Sequence, residues 1–107
     1  MSTWLLPTMA VLAFSVPTVS AAAPVHTSQA VLATASSSRP FILDGQRWSC
    51  EGATCVGRSA STTAPQPAVR ECRRFVRRAG AVVEYRQNGY VLTSDELTQC
   101  NAALTDG

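Results

Sequence analysis

Four cysteines are the residues with the most distinctive chemistry in this chain of 107 residues. Cysteines can form disulfides, bind zinc or catalyse thiol–disulfide exchange. In zinc and redox sites the cysteines have characteristic spacings along the sequence. The intervals between these four enclose four, sixteen and twenty-seven residues, with no C-x-x-C motif and no histidine after position 26. The spacing therefore favours structural disulfides, with a zinc site and a reactive thiol pair as alternatives. The residues are Cys50, Cys55, Cys72 and Cys100.

Four cysteines permit three pairings, and the elements that carry them favour one. We expect Cys72 and Cys100 on the apolar faces of two helices that pack together, and Cys50 and Cys55 on either side of a four-residue turn. The favoured disulfides are therefore Cys50–Cys55 and Cys72–Cys100. Chain entropy suggests that the longer loop stabilises the fold by about 3.6 kcal/mol and the shorter one by about 2.2 kcal/mol.

Five arginines, with one glutamate among them, give residues 70–78 a net charge of five minus one, or +4. On a helix, three of their pairs are i,i+4 neighbours of like charge, which repel. One hypothesis is neutralisation inside the domain, by Glu51, Glu84, Asp95 or Glu96. The other is an external anion, since a guanidinium matches phosphate and carboxylate groups. The candidate binding residues are Arg70, Arg73, Arg74, Arg77 and Arg78.

Catalytic chemistry has little support in residues 40–107, which contain no histidine, no lysine and no glycine-rich phosphate loop. Asp95 and Glu96 are explained by the favourable electrostatics of acids at a helix N-terminus. Trp48, Tyr85 and Tyr90 could form a platform beside the arginines, although we expect at least two of them in the core. The sequence thus predicts no catalytic residue, no metal and no cofactor.

The composition divides the chain, because all sixteen charged residues lie at or after Arg39. Residues 4–16 form an apolar run of signal-peptide length, and small residues follow at 20–23. Prolines at 7 and 17 interrupt a run that is already short for a membrane span of about 20 residues. We predict a signal peptide over residues 1–22, a periplasmic or secreted protein and no membrane span in its mature form.

Residues 23–39 are small and polar and sustain neither a helical nor a strand period. This composition is typical of a linker and predicts a disordered leader. His26, the only histidine in the chain, is expected there as a solvated side chain rather than a ligand. The foldable part is then residues 40–107, which is small enough to need disulfides for stability.

Turn signals predict the strands of this domain. Asp44-Gly45 and Asn88-Gly89 suit two-residue hairpin turns, and residues 51–54 suggest a third turn. For the helices, Pro67 can begin one and Gly80 can end it, with apolar residues between them at steps of three and four. Thr93 and Glu96 form a capping box at the start of a second helix. The predicted order is β-β-β-α-β-β-α, an α+β fold.

Three motifs carry a resemblance to a known family. They are W-x-C-x-G-x-x-C at 48–55, C-R-x-F at 72–75 and E-L-x-x-C-N at 96–101. With these motifs the chain resembles a family of small exported bacterial proteins with four cysteines and unknown function. The resemblance covers residues 41–104. It implies export and a cysteine framework, and it implies no activity.

Taken together, the sequence predicts an exported, non-enzymatic interaction module with an arginine-rich helix. The first alternative is a binder of anionic envelope lipid or polysaccharide through residues 70–78. An acidic protein is another possible partner, whereas nucleic acid is not expected in an exported protein. The second alternative is a thiol or metal enzyme.

Overall fold

A computed structural model describes residues 26–36, 39–60 and 64–105 of the chain. The predicted signal peptide, residues 1–22, lies outside the described residues. Within them, no helix is long and apolar enough to cross a membrane. The elements in chain order are β1 (His26–Leu32), β2 (Phe41–Leu43), β3 (Gln46–Glu51), β4 (Thr54–Ser59), α1 (Ala68–Ala79), β5 (Val82–Gln87), β6 (Tyr90–Val91) and α2 (Ser94–Asn101), followed by a 3-10 turn at Ala102–Leu104.

The strands form one six-stranded sheet in the order β2-β3-β4-β1-β5-β6. Every neighbouring pair is antiparallel. Both helices pack on the same face of this sheet, where α2 also contacts α1. The α+β class is confirmed, and the full order is β-β-β-β-α-β-β-α.

The additional strand is β1, and it lies near the centre of the sheet between β4 and β5. The prediction of a disordered leader is therefore wrong for His26–Leu32. Ser28, Ala30 and Leu32 alternate along β1 and are buried beneath the helices. Most residues of β1 are small or polar, so its composition does not indicate a strand. The strand is ordered by hydrogen bonds to two neighbouring strands and not by a strong apolar pattern.

The predicted hairpin turns are present with the backbone geometry that their residues suit. Asp44 and Gly45 have φ angles of 51° and 78°, and Asn88 and Gly89 have φ angles of 48° and 87°. Positive φ at both central residues is the requirement of a type I′ turn, which matches the twist of the adjoining strands. These turns set the register of β2 on β3 and of β5 on β6.

Helix α1 begins and ends where the sequence predicts, and α2 begins where the capping box predicts. Pro67 and Gly80 flank α1. At the start of α2, Thr93 and Glu96 form the capping box, and the hydrogen bond from the Thr93 backbone to the Glu96 side chain lowers the pKa of that carboxyl. Cys72 of α1 and Cys100 of α2 are joined by a disulfide with a Cα–Cα distance of 5.5 Å.

The second disulfide links Cys50 and Cys55, which pair directly across the β3–β4 hairpin at a Cα–Cα distance of 4.0 Å. Both favoured pairings are thus confirmed. All four cysteines are consumed in these bonds. The zinc site and the reactive thiol pair that the sequence left open would need thiols that this structure does not offer.

The core is built around a cluster of four aromatic rings. Trp48 of β3 lies against Phe75 of α1 at a ring-centroid distance of 4.4 Å, and Tyr85 and Phe41 complete the group. Trp48 and Tyr85 are both buried, which confirms that at least two of the three candidate platform aromatics belong to the core. Tyr90 is half-exposed and donates a hydrogen bond to Glu96.

Gly57 makes room for Trp48, which lies opposite it on the neighbouring strand. A Cβ atom at position 57 would lie 2.5 Å from Cε2 of the indole, so the ring or the strand would have to move. We expect Gly57→Ala to lower the free energy of unfolding by about 1 to 3 kcal/mol, the usual range for overpacking a core. Chemical unfolding followed by Trp48 fluorescence measures the change.

The matched control is Ser49→Ala, an exposed position on β3. It should shift the unfolding free energy by no more than about 0.5 kcal/mol. If Gly57→Ala were as stable as Ser49→Ala, the close packing of Trp48 on β4 would be incorrect.

Candidate functional site

A buried glutamate, Glu71 on α1, is the centre of a polar cluster beneath the helix. It is only 5% exposed. The Tyr85 hydroxyl donates to Oε1 at 2.5 Å, and Ser28 donates to the same oxygen. His26 Nε2 and Gln87 Nε2 each donate to Oε2 at 2.9 Å. Each carboxylate oxygen therefore accepts two hydrogen bonds inside the protein.

Strand alternation and helix spacing explain why these side chains meet. His26 and Ser28 are two residues apart on β1, as are Tyr85 and Gln87 on β5, so each pair points to the helix side of the sheet. Glu71 precedes Phe75 by one helical turn and therefore shares its buried face. Glu71 lies among the arginines of residues 70–78, where it was expected to offset part of their charge, although its spacing from Phe75 indicates the apolar face.

His26 is held by this cluster, and the prediction of a solvated histidine is wrong. Its side chain is 11% exposed. The Thr27 backbone N–H donates to Asn88 Oδ1, which orients the amide so that Asn88 Nδ2 donates to His26 Nδ1, both at 2.8 Å. With Nδ1 accepting, the ring carries its proton on Nε2 and donates it to Glu71.

The cluster does not have the geometry of a serine–histidine–acid triad. A triad uses the two ring nitrogens of the histidine for different partners, one for the hydroxyl and one for the carboxylate. Here Ser28 Oγ and Glu71 Oε2 both face Nε2, at 3.4 and 2.9 Å. Ser28 is also only 1% exposed. The arrangement ties α1 to β1 and β5, and it presents no accessible nucleophile.

Tyr85 is a permanent donor in this cluster. Burial raises the pKa of its hydroxyl far above the usual value, and the charge of Glu71 raises this pKa further. The hydroxyl therefore keeps its proton throughout the physiological pH range and stabilises the carboxylate.

A groove of about 550 Å³ opens beside the cluster. His26 and Glu71 contribute to its floor, so the groove gives the buried polar cluster its contact with the surface. Four parts of the chain form its walls: helix α1, the β2–β3 hairpin, the end of β4 and the segment before α1. Their polar side chains are Arg70, Arg74, Asp44, Gln46, Ser59 and Gln66.

Arg74 and Asp44 form an ion pair on the groove wall. Arg74 Nε donates to Asp44 Oδ2 at 2.5 Å, and Gln66 donates to the same oxygen at 3.3 Å. The Arg74 hydrogen bond holds the pKa of Asp44 below its usual value, and Asp44 in turn raises the pKa of Arg74. Asp44 was not among the carboxylates that the sequence suggested as partners of the arginines.

The five arginines of α1 are distributed over several environments. Arg73 donates to the backbone carbonyl of Gln99, in the last turn of α2, at 2.6 Å. The guanidinium carbon of Arg78 lies 4.5 Å from the centroid of the Phe41 ring, in a cation–π contact. Arg77 borders a smaller cavity of about 260 Å³. The structure thus directs only Arg70 and Arg74 into the groove.

Two of the proposed internal partners are engaged elsewhere. Glu84 pairs with Arg86 at 3.4 Å, and Glu96 accepts hydrogen bonds from Tyr90 and the Thr93 backbone. Around Arg70, no carboxylate of the described ranges comes within ion-pair distance. Internal neutralisation therefore acts on Arg74, through Asp44, and leaves Arg70 available at the mouth of the groove.

The fold and the two disulfides define a small, stapled α+β domain with a polar groove on its helical side. The chain belongs to a family of unknown function, DUF8200, whose model matches residues 9–102. Comparison with characterised proteins and with solved structures found no match.

Proposed function

We propose that this protein is an exported, non-enzymatic binding module whose groove holds an anionic group of a cell-envelope component. The observation that carries the proposal is the pair of guanidiniums, Arg70 and Arg74, one helical turn apart on the wall of the 550 Å³ groove. Phosphate or carboxylate groups of an envelope polysaccharide or lipid have the chemistry that such a pair binds.

The electrostatics of the wall support an anion between the two side chains. Arg70 and Arg74 are exposed i,i+4 neighbours of like charge, and an anion between them would relieve their repulsion. Asp44 forms a direct ion pair with Arg74 and acts on Arg70 only through a longer-range Coulombic attraction. A bound anion would lie closer to Arg70, while the amides of Gln46 and Gln66 provide hydrogen bonds for neutral parts of the ligand.

Export is the second part of the proposal. Two disulfides are typical of proteins in oxidising compartments such as the periplasm and the cell exterior. The apolar run at residues 4–16 and the small residues at 20–23 suit a cleaved signal peptide. We further propose that the motifs at 48–55, 72–75 and 96–101 mark exported relatives, since each includes at least one disulfide cysteine.

The test is binding to an acidic polysaccharide and to anionic vesicles at low salt. Arg70→Gln combined with Arg74→Gln should weaken binding by about tenfold or more, because hydrogen bonds between charged groups contribute about 1.5 to 3 kcal/mol each. Binding should also fall as salt shortens the Debye length. The source of the anion is the probe, polysaccharide or vesicle, whose binding is weakened by the double substitution.

The matched control is Arg73→Gln combined with Arg77→Gln, which removes the same charge from the same helix outside the groove. It should weaken binding by no more than about threefold, through the loss of general attraction. Equal losses in the two double variants would contradict a groove site. Absence of wild-type binding to both probes would contradict the anion proposal altogether.

A further inference from the structure

Among the described residues, the side chains on the face of the sheet opposite the helices are exposed or half-buried, and they form rows across the strands. We call this surface the open face. The strand register aligns Arg47 of β3 with Arg58 of β4 and, beyond them, Ile42 and Thr27. We call this set the basic row. At the other end of the same strands, Glu51, Thr54, Val31 and Glu84 are aligned in the same way and form the acidic row.

Between these two rows lies a middle row of mixed character. Its members are aligned by the same register and are Ser49, Val56, Gln29, Arg86 and Val91. All three rows consist of residues that alternate with the buried ones and are exposed or half-buried. The open face therefore has a positive end and a negative end, four residues or about 13 Å apart along β3.

The basic row is unfavourable in an isolated molecule. Arg47 and Arg58 lie directly opposite each other, and like charges in that arrangement destabilise a strand pair. Among the residues whose positions are described, no carboxylate lies within ion-pair distance of either guanidinium. The carboxylates on this face are at its far end, where Glu84 already contacts Arg86.

We propose that the open face binds the open face of a second copy of this chain, in a two-fold dimer. A two-fold axis that lies between the sheets and runs across the strands reverses the strand direction. It therefore places the basic row of each copy over the acidic row of the other. An axis parallel to the strands would instead stack each row on its own copy, so the charges select the first arrangement.

In this dimer each strand lies over its own counterpart, with the axis above the middle row. Arg47 then faces Glu51 of the partner subunit, because the two residues are equally distant from Ser49 on β3. On the adjacent strand β4, Arg58 faces Thr54 of the partner subunit. The carboxylate of Glu51 of the partner subunit lies beside that threonine. Val56 packs near the axis, and sheets packed face to face in this way are about 10 Å apart.

The size of the face indicates a reversible dimer. The six strands have an average length of five residues, and neighbouring strands are about 4.8 Å apart, so the face covers roughly 500 Å² in each copy. Stable interfaces bury about 800 Å² on each partner, so this one is at the weak end of specific association. The helices lie on the outer sides of the pair, which leaves both grooves accessible.

The test measures molar mass against concentration, by light scattering and sedimentation, for the protein recovered from expression of the full chain. The wild type should dimerise reversibly, and less so at high salt. One variant, Arg47→Glu with Arg58→Glu, makes both outer rows acidic. The other, Glu51→Arg with Glu84→Arg, makes both basic. Each variant alone should raise the dimer dissociation constant by more than about tenfold.

Mixing the two variants gives the decisive result, because their open faces are then complementary in charge. We expect the equimolar mixture to form a heterodimer at concentrations where each variant alone is monomeric. The charge-matched control, Arg77→Glu with Arg78→Glu on the helical side and outside the groove, should dimerise like the wild type. Circular dichroism and unfolding midpoints similar to those of the wild type verify that each variant is folded.

Three outcomes would overturn this dimer. They are a wild type that stays monomeric up to millimolar concentration, a dimer unaffected by either charge reversal, and a mixture that does not associate. If the wild type is monomeric but binds an anionic polysaccharide through Arg47 and Arg58, the open face is an anion site instead. Loss of ligand binding at the groove would leave the dimer result unchanged, so the two proposals can fail separately.

Discussion

A chain that begins at Ala33, and therefore lacks β1, should not fold. Strand β1 separates β4 from β5, and its removal divides the sheet into a three-stranded piece and a two-stranded piece. Ala30 and Leu32 leave the core, and Glu71 loses the hydrogen bonds from the residues of β1. Two-stranded sheets are at best marginally stable in water. Far-UV circular dichroism and denaturant titration should show no cooperative transition.

The control is a chain that begins at Val25, which retains the whole of β1. It should unfold cooperatively, whereas a disordered leader over residues 23–39 would make the two truncations equally stable.

A point variant tests the same strand without truncation. Ala30→Asp places an unpaired charge in the core and should cost more than about 3 kcal/mol, whereas Gln29→Asp on the open face should cost far less.

Equal unfolding free energies for the two Asp variants would contradict the position of β1. The position of β1 also bears on the proposed export. If cleavage occurs near Ala22 as predicted, only about three residues precede β1 in the mature chain. Strand β1, near the centre of the sheet, would then lie almost at the N-terminus of the mature protein.

The features that the sequence predicted correctly are those that local chemistry determines. Asn88-Gly89 adopts positive φ because these residues tolerate it, and Thr93 caps α2 through contacts within four residues. The period of three and four residues in α1 identified the buried face that carries Cys72 and Phe75. Because the apolar face of α2 carries Cys100, packing the two faces together predicted the disulfide between Cys72 and Cys100.

The features that were missed depend on partners far away in the sequence. Strand β1 acquires its order from β4 and β5, which lie more than 20 residues further along the chain. Glu71 contacts His26 and Tyr85 at sequence separations of 45 and 14. The helical period placed the arginines on the solvated side of α1, but it could not show that Asp44 reaches Arg74.

Glu71→Ala should be among the most destabilising single substitutions in the protein. The carboxylate accepts four hydrogen bonds from β1 and β5, and its removal breaks all four. Of these donors, Gln87 Nε2 keeps its second hydrogen bond, to the Gln66 carbonyl, whereas the buried Tyr85 hydroxyl loses its acceptor. A buried polar group left unpaired costs about 1 to 3 kcal/mol, and the smaller side chain also leaves a cavity. We expect a total loss of about 3 to 5 kcal/mol, measured by urea unfolding.

Two comparisons distinguish this mechanism from the general cost of a substitution. Glu84→Ala removes an exposed carboxylate and should change the unfolding free energy by about 0.5 kcal/mol or less. Glu71→Gln keeps the volume and one acceptor oxygen, and the hydroxyls of Ser28 and Tyr85 can rotate to accept from the new amide. Its cost should therefore lie between those of the two alanine variants.

A double-mutant cycle with Tyr85 isolates the hydrogen bond to the carboxylate. In the wild type, Tyr85→Phe removes a donor from Glu71 and should cost about 1 to 2 kcal/mol. In the Glu71→Ala background the buried hydroxyl has lost its acceptor, so the same substitution should cost almost nothing or even stabilise. The predicted coupling energy is therefore at least about 1 kcal/mol. If Tyr85→Phe cost the same in both backgrounds, the two side chains would not be coupled, and Glu71 would not be the residue that fixes α1 to the sheet.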